Sequence, residues 1–314
     1  MKILVAGTGG VGGYFGGLLA QAGHAVAFLA RGAHLEAIQR DGLRVLSVHG
    51  DFSIRPASAS DQPEELPAPD CVLVAVKHYD LQATARQLRA VVREGTAVVP
   101  LMNGVDVHEV LRAELGRGRI AAGTCSVAAR IEAPGVIRQE GRLRRVVLGA
   151  PDGRPEETLS TLVAAWRDGG VEAEQTPDIL AALWSKLVFI ASFGGVTALA
   201  RSTAGEVRAS PTTRAVLLEA MREVERVGRA AGARLPQDAV EQAMAFVEAL
   251  EPGVTSSLQR DVAEGRRFEL EAFSGTIVRL ASKHAIDVPV HAAIYGLLRP
   301  MLTRAEGLAG QPHR

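Results

Sequence analysis

The sequence predicts an α/β protein of two domains, in which a parallel sheet with helices on its faces is followed by an all-helical domain. Three observations predict this fold class. Short apolar runs alternate with helical periodicity up to about residue 115, which is typical of a parallel sheet. Eight glycines fall between Gly7 and Gly23, directly after the first apolar run. From Pro177 onward nearly every segment has helical periodicity.

The elements of the first half follow from these patterns in chain order. The predicted strands are residues 3–6, 25–29, 71–76, 96–102 and 171–175, and the predicted helices follow the glycines and cover 81–92, 105–115 and 156–167. Residues 120–149 are β-rich runs separated by APG and EGR. We expect antiparallel strands there that complete the edge of the sheet.

The second half begins at Thr176-Pro177-Asp178, which is a helix-start pattern with proline near the first turn. We therefore expect a domain of residues 1–176 and a helical domain of residues 177–314. The predicted helices of the second domain are 178–195, 205–209, 211–232, 236–250, 258–284 and 289–303.

Composition excludes several function classes. Lysine plus arginine and aspartate plus glutamate each number 35, so no net charge favours nucleic acid or an anionic membrane. The apolar segment ILAALWSKLVFIASFGGVTALA contains Lys186 near its centre, so we expect a buried helix and no membrane span. Two cysteines without metal-ligand spacing, and no export signal, suit a metal-free cytoplasmic protein. The sequence is compatible with a homodimer but does not predict one.

The glycines near the N-terminus match a dinucleotide-binding motif. Residues 7–12 fit G-x-G-x-x-G between a strand and a helix, and such a loop places a pyrophosphate at the helix N-terminus. The predicted cofactor-binding residues of this loop are Gly7, Thr8, Gly9, Gly10, Val11 and Gly12. The alternative is a merely flexible glycine loop.

The end of the second predicted strand indicates which dinucleotide binds. An NAD site usually has a carboxylate about 20 residues after the motif to bind the ribose hydroxyls. Here the strand is followed by Arg31, and no carboxylate occurs before Glu36. Arginine suits a 2′-phosphate, so the sequence favours NADPH over NADH; the alternative is a surface arginine in a loop.

Lys186 and Glu269 are the candidate catalytic residues. Lys186 is the only charged residue between Asp178 and Arg201, and burial lowers the pKa of a lysine, so it could protonate a carbonyl oxygen. The alternative is a lysine that extends to solvent from the rim of a core. Glu269 falls on the apolar stripe of the helix predicted over 258–284, where a carboxylate should be paired. The alternative is that local fraying exposes it.

Two polar residues follow predicted strands of the sheet. Lys77 follows the third strand and Asn103 follows the fourth, which places both at the carboxyl ends of strands, where open α/β sheets bind ligands. Asn103 is followed by glycine, a pair that is also common in simple turns. Together with the glycine motif, both residues become candidate ligand contacts.

With these residues assembled, the chain resembles the ketopantoate reductase family, the 2-dehydropantoate 2-reductases, over nearly its whole length. The segments that carry the resemblance are GTGGVGGYFG, FLARG, VAVKHYDL, PLMNGV, LWSKLVF and SSLQRDVAEGRRFELE. It implies an N-terminal Rossmann-type domain that binds NADPH and a helical domain resembling that of 6-phosphogluconate dehydrogenase. It also implies reduction of a small 2-oxo acid, ketopantoate, to pantoate in pantothenate biosynthesis.

The resemblance also assigns roles to residues of this sequence. It implies that Lys186 is the proton donor, that Glu269 is the conserved glutamate and that Ser257 binds substrate. By the same resemblance, Asn103 and Lys77 contact the nicotinamide end of the cofactor and the substrate, and Arg31 binds the 2′-phosphate. Ser257 is implied by the resemblance alone.

The sequence departs from the family at two positions on the helix of the lysine. Well-studied members have asparagines one and two turns after the lysine, which bind the hydroxyl and carboxylate ends of the substrate; here these positions are Ile190 and Gly194. Two alternatives follow. One is a reductase of a less polar 2-oxo acid or ketone, and the other is a non-catalytic NADPH-binding redox regulator. A regulator would need neither Lys186 nor Glu269.

Overall fold

The computed structural model describes residues 1–309, in two units of which one ends at Ile179 and the other begins at Leu180. The predicted boundary at residue 176 lies just before this division. In chain order, the elements of the N-terminal unit are β1 (Lys2–Ala6), α1 (Gly10–Gln21), β2 (Ala25–Leu29), α2 (Gly32–Asp41), β3 (Leu43–Ser47), β4 (Phe52–Ile54), β5 (Ser58–Ser60), β6 (Cys71–Val74), α3 (Leu81–Leu88), β7 (Ala97–Pro100), α4 (Val107–Leu115), β8 (Arg119–Ile120), β9 (Ala122–Ala133), β10 (Val136–Gly149), α5 (Glu157–Asp168) and β11 (Glu172–Gln175).

A six-stranded parallel sheet forms the centre of this unit, and the predicted alternation of strands and helices is confirmed. The strand order is β5-β2-β1-β6-β7-β8, and every neighbouring pair is parallel. Successive side chains of β1 point to opposite faces. Val5 lies in one core with Phe15 of α1, whereas Leu4 lies in a second core with Leu88 of α3 and Leu111 of α4.

The strands at 120–149 are antiparallel, as predicted, but the prediction that they complete the edge of that sheet was wrong. β9 and β10 pair with each other in antiparallel orientation and belong to a second sheet, in which β10 also pairs with β3 and β11. β3 pairs in turn with β4. The reason is the length of β10. Its first half pairs with β3 and its second half with β11, so the hairpin has partners of its own.

Helix α1 packs against both sheets, and this explains its glycines. A Cβ atom at Gly16 would lie 2.6 Å from the side chain of Val5 on β1. On other faces of the helix, a Cβ at Gly13 would lie 2.7 Å from Ile137 of β10, and one at Gly17 would lie 2.9 Å from Phe52 of β4. The missing side chains therefore let the helix approach both sheets closely.

The second unit is all-helical over its described residues, as predicted. Its elements are α6 (Ile179–Ala200), α7 (Ala204–Ala209), α8 (Pro211–Ala230), α9 (Ala239–Ala249), α10 (Ser257–Ala263), a π-helical turn (Glu271–Gly275), α11 (Thr276–Lys283) and α12 (Pro289–Ala309). By length and composition α6 could cross a membrane, but 61% of its most apolar stretch is buried inside the protein. Helices of this kind are common in protein cores.

The single helix predicted over 258–284 does not exist. α10 ends at Ala263, where Gly265 adopts a φ of +65° and the amide of Arg266 donates to the carbonyl of Asp261 at 2.8 Å. This is a glycine C-terminal cap of the Schellman type. The cap overrides the apolar periodicity, and the chain returns to helical geometry only at the π-helical turn.

A buried polar network joins three helical elements of this unit. The carboxylate of Glu223 on α8 accepts the amides of Val290 and His291 at 2.8 Å each and so caps the start of α12. The His291 ring bonds Ser274 in the π-helical turn at 3.1 Å and the carbonyl of Ala220 at 3.2 Å. Burial lowers the pKa of His291 to about 4, so the ring is neutral at pH 7. The network therefore fixes the turn that follows Glu269.

Candidate active site

The loop between β1 and α1 has a different environment at each glycine of the motif. Gly7 has a φ of +98°, and a Cβ there would lie 2.6 Å from the Val76 side chain. A Cβ at Gly10 would overlap the carbonyl of Ala129, and one at Gly12 would overlap the carbonyl of Gly7. A Cβ at Gly9 would have no neighbour within 4 Å. Gly7, Gly10 and Gly12 are thus required by the fold, whereas Gly9 leaves room beside the backbone.

The start of α1 can accept an anion at this opening. Gly9 is the residue before the helix, and the first turn is Gly10-Val11-Gly12, whose amides have no acceptor within the helix. The helix dipole adds partial positive charge at the same end. This arrangement fits the pyrophosphate of a dinucleotide, which needs several amide donors and close approach to the backbone.

Thr8 ties the loop to the neighbouring strand. Its amide and its hydroxyl both donate to the carbonyl of Leu29, the last residue of β2, at 3.3 and 3.0 Å. The motif is therefore bound to the segment that carries Arg31.

Arg31 lies where the sequence predicts it, at the end of β2 and just before α2. Its side chain is 86% exposed, and its Nη2 atom is 3.6 Å from Oδ2 of Asp80. An exposed ion pair of this length contributes little stability, so the guanidinium can change partners readily. It is therefore available to bind an anion.

Lys77 and Asn103 lie on neighbouring loops after β6 and β7. Lys77 is exposed and precedes a short helical turn, His78–Asp80, and Asn103 is half-buried. The loops meet where Nε2 of His78 lies 3.7 Å from Oδ1 of Asp106. β1, β2, β6 and β7 are adjacent in the sheet, so the glycine loop, Arg31, Lys77 and Asn103 all follow the carboxyl ends of neighbouring strands.

In the helical unit, Lys186 is half-buried on α6, and Ile190 and Gly194 follow it on the same face at intervals of four. A Cβ at Gly194 would lie 3.5 Å from the side chain of Leu258. The helix α10 therefore begins against this face of α6.

Ser257 is the first residue of α10 and is exposed. Its neighbour Ser256 caps α10 by accepting the amide of Gln259 at 3.0 Å and bonds the hydroxyl of Thr197 on α6 at 3.0 Å. Since Ser256 and Leu258 both contact α6, Ser257 is held next to the face that continues from Lys186.

Glu269 is 8% exposed and lies in the non-helical segment before the π-helical turn. The prediction that it belongs to one helical stripe with Phe273 was wrong, because the glycine cap of α10 interrupts that helix. Its burial is nevertheless as the sequence indicates. π-Helical turns are frequent at functional sites.

The sequence reasoning left out two histidines of the N-terminal unit. His78 joins the loops of Lys77 and Asn103, and His34 on α2 bonds the carbonyl of Thr8 at 2.8 Å. Neither belongs to a spaced motif. The only signal is position, because both lie within three residues of a candidate ligand residue.

Family models match nearly the whole chain. The model described as ketopantoate reductase PanE/ApbA matches residues 3–153, and the model of the C-terminal part of the same family matches residues 178–302. A 2-dehydropantoate 2-reductase of Mesorhizobium japonicum is 32% identical, with 95% of this chain and 97% of the relative covered.

Solved structures agree with the family models. The PanE/ApbA family ketopantoate reductase of Ralstonia eutropha JMP134 has a TM-score of 0.89 and 31% identity, covering 98% of this chain and all of the other. The 2-dehydropantoate 2-reductase of Methylococcus capsulatus has a TM-score of 0.90 and 29% identity, with 97% and 98% covered. The chain therefore belongs to the ketopantoate reductase family and is an oxidoreductase with a dinucleotide-binding fold.

Proposed function

We propose that this protein reduces ketopantoate to pantoate with NADPH, as a cytoplasmic step of pantothenate biosynthesis. The observation that carries the proposal is Lys186, the only charged residue on α6, on a face beside which the helix of Ser257 begins. Family membership supports the substrate class. The site at the start of α1 supports a dinucleotide.

In the proposed reaction, the amides at the start of α1 would hold NADPH, which when bound would supply the hydride that the carbonyl carbon of the 2-oxo acid accepts. Lys186 donates a proton to the carbonyl oxygen as that oxygen gains negative charge, so that the ketone becomes a hydroxyl group. Glu269 orients the lysine or the substrate. Ser257 and Asn103 donate hydrogen bonds to substrate oxygens, and Lys77 contributes positive charge where the nicotinamide end of the cofactor and the substrate carboxylate bind.

We propose NADPH as the preferred cofactor because of Arg31. Its guanidinium is exposed after β2, where the 2′ position of the adenosine ribose lies in folds of this kind. A guanidinium binds a phosphate through paired, charge-assisted hydrogen bonds. The distance between Arg31 and Asp80, 3.6 Å, indicates a weak ion pair, so the guanidinium can leave Asp80 to bind such a phosphate.

A second candidate function is the reduction of a less polar 2-oxo acid. On the face of α6 that follows Lys186, positions 190 and 194 are Ile190 and Gly194 and carry no polar side chain. The side chain of Leu258 is a further apolar neighbour at Gly194. A substrate oxygen buried there without a partner would cost about 1–3 kcal/mol. This favours substrates that lack one polar end of ketopantoate.

The test is a steady-state assay of NADPH oxidation with ketopantoate and with a panel of other branched 2-oxo acids. Turnover of ketopantoate supports the proposal. Turnover restricted to less polar acids would replace it with the second candidate. NADPH binding without turnover of any acid would instead indicate a redox regulator.

A further inference from the structure

His34 lies in the first turn of α2 and contacts two other segments of the N-terminal unit. Its Nε2 atom lies 2.8 Å from the carbonyl oxygen of Thr8 in the glycine loop. Its Nδ1 atom lies 3.0 Å from the amide nitrogen of Gly135, in the turn between β9 and β10. One half-buried ring thus joins α2, the glycine loop and the β9–β10 hairpin.

These contacts determine the protonation of the ring. The amide of Gly135 can only donate, so Nδ1 accepts and carries no proton. The carbonyl of Thr8 can only accept, so Nε2 carries the proton and donates. Burial lowers the pKa of His34, which favours this neutral form. Both ring nitrogens are therefore satisfied in a single tautomer.

The bond to Thr8 controls the direction of the next amide. In a trans peptide, the carbonyl of one residue and the amide of the next point in opposite directions. Because His34 holds the Thr8 carbonyl, the Gly9 amide must point away from His34. The amide and hydroxyl of Thr8, bonded to Leu29, hold the other side of the same residue. The peptide before the helix start is thus fixed in one orientation.

The contact with Gly135 has a different consequence. Gly135 lies against α2, where a Cβ would be 3.0 Å from the Cβ of Ala37, and its carbonyl accepts the amide of Arg44 at 2.9 Å. The hairpin tip therefore has attachments besides His34. The direction of the Thr8 carbonyl is set by its bond to His34. The bond to Thr8, and not the bond to Gly135, is therefore the one expected to affect dinucleotide binding.

We propose that His34 is a positioning residue for the cofactor, which orients the Thr8–Gly9 peptide so that the Gly9 amide can donate to the pyrophosphate of the bound dinucleotide. The inference rests on the proposed function only in that the loop binds a dinucleotide. It does not depend on the substrate. It predicts an effect on cofactor affinity and little effect on turnover at saturating cofactor.

The experiment uses three variants that separate the two hydrogen bonds. His34→Ala removes both. His34→Gln keeps a donor as many bonds from Cα as Nε2, and so can retain the bond to Thr8. His34→Asn keeps an acceptor at the distance of Nδ1, and so can retain only the bond to Gly135. Gln39→Ala is the control, since it removes another bond from α2, the 3.0 Å bond to the carbonyl of Ala59.

The dissociation constant of NADPH is measured for each full-length variant in the absence of substrate, from the change in NADPH fluorescence on binding. We expect His34→Ala and His34→Asn to raise this constant about tenfold. Both variants lose the hydrogen bond to the Thr8 carbonyl, so the Gly9 amide is no longer held in the orientation in which it donates to the pyrophosphate. His34→Gln and Gln39→Ala should remain within about twofold of the unmodified protein. Steady-state kinetics should show a raised KM for NADPH with kcat nearly unchanged.

Unchanged affinity in His34→Ala, or recovery by asparagine and not by glutamine, would overturn the inference. Thermal melting without cofactor shows whether each variant is folded, and the glutamine and asparagine variants decide the matter if alanine unfolds the protein. Failure of the proposed function gives a different result. In that case the unmodified protein itself either binds no dinucleotide or binds NADPH without reducing any 2-oxo acid.

Discussion

The two units of the molecule present their candidate functional groups in different ways. In the N-terminal unit the groups that we propose for cofactor binding include backbone amides, in a loop that Gly7, Gly10 and Gly12 allow to pack closely. In the helical unit the candidate groups are side chains on separate segments, namely Lys186, Ser257 and Glu269. We infer that the glycine loop of the first unit is sensitive to added atoms. The second should instead be sensitive to the loss of single side chains.

The largest expected effect belongs to the helical unit. Lys186→Ala should lower kcat by about 10²-fold or more, because a general acid contributes about 10²–10⁴-fold. The dissociation constant of NADPH should change little. Stopped-flow or steady-state kinetics together with fluorescence titration measure both. A variant with near-normal turnover would show that the proton comes from elsewhere.

A matched pair of glycine variants tests whether close packing and cofactor binding depend on different glycines of the loop. Gly12→Ala places a Cβ on the carbonyl of Gly7 and should cost about 1–3 kcal/mol of unfolding free energy, because the backbone cannot yield easily. Gly9→Ala has room and an ordinary φ of −82°, so its stability should be unchanged while NADPH affinity falls about tenfold. Chemical denaturation and fluorescence titration measure the two quantities. Equal losses of stability in both variants would contradict the distinction.

Arg31→Ala tests the side chain of the N-terminal unit that we propose to select NADPH. The KM for NADPH should rise about tenfold or more, the expected cost of removing hydrogen bonds to a charged phosphate. The KM for NADH should remain nearly constant because NADH lacks that phosphate. Parallel kinetics with the two cofactors provide the measurement. Equal losses with both would remove Arg31 from the 2′-phosphate site.

The smallest expected effect concerns the substrate. The analogue of ketopantoate in which a methyl group replaces the hydroxymethyl group should lose no more than about tenfold in kcat/KM, because an apolar surface discriminates weakly. The double variant Ile190→Asn and Gly194→Asn should raise the preference for ketopantoate. There is space for the new Cβ at residue 194, at 3.5 Å from Leu258. Rejection of the analogue by several orders of magnitude in the unmodified protein would mean that other polar groups bind the hydroxyl.

Features encoded within short segments could be predicted from the sequence. The glycine motif, the strand segments on either side of it and α6 with Lys186 depend on neighbouring residues. Features that depend on distant partners could not. The second sheet requires β3 to pair with β10, and His34 bonds residues 26 and 101 positions away. Glu269 was wrongly predicted to lie in a helix, because the glycine cap at Gly265 ends α10 although the apolar periodicity continues beyond it.

The pairing of β10 with β3 also has a consequence for synthesis of the chain on the ribosome. Arg44 of β3 pairs with Val136 of β10, which is 92 residues later. At about 5–20 residues per second, roughly 5–20 s pass between translation of the two strands. During that time β3 has only β4 beside it, and its other edge is exposed as a template for aggregation. The edge of β3 that pairs with β10 therefore has no partner strand until residue 136 has been translated, although the strands of the parallel sheet have by then all been made.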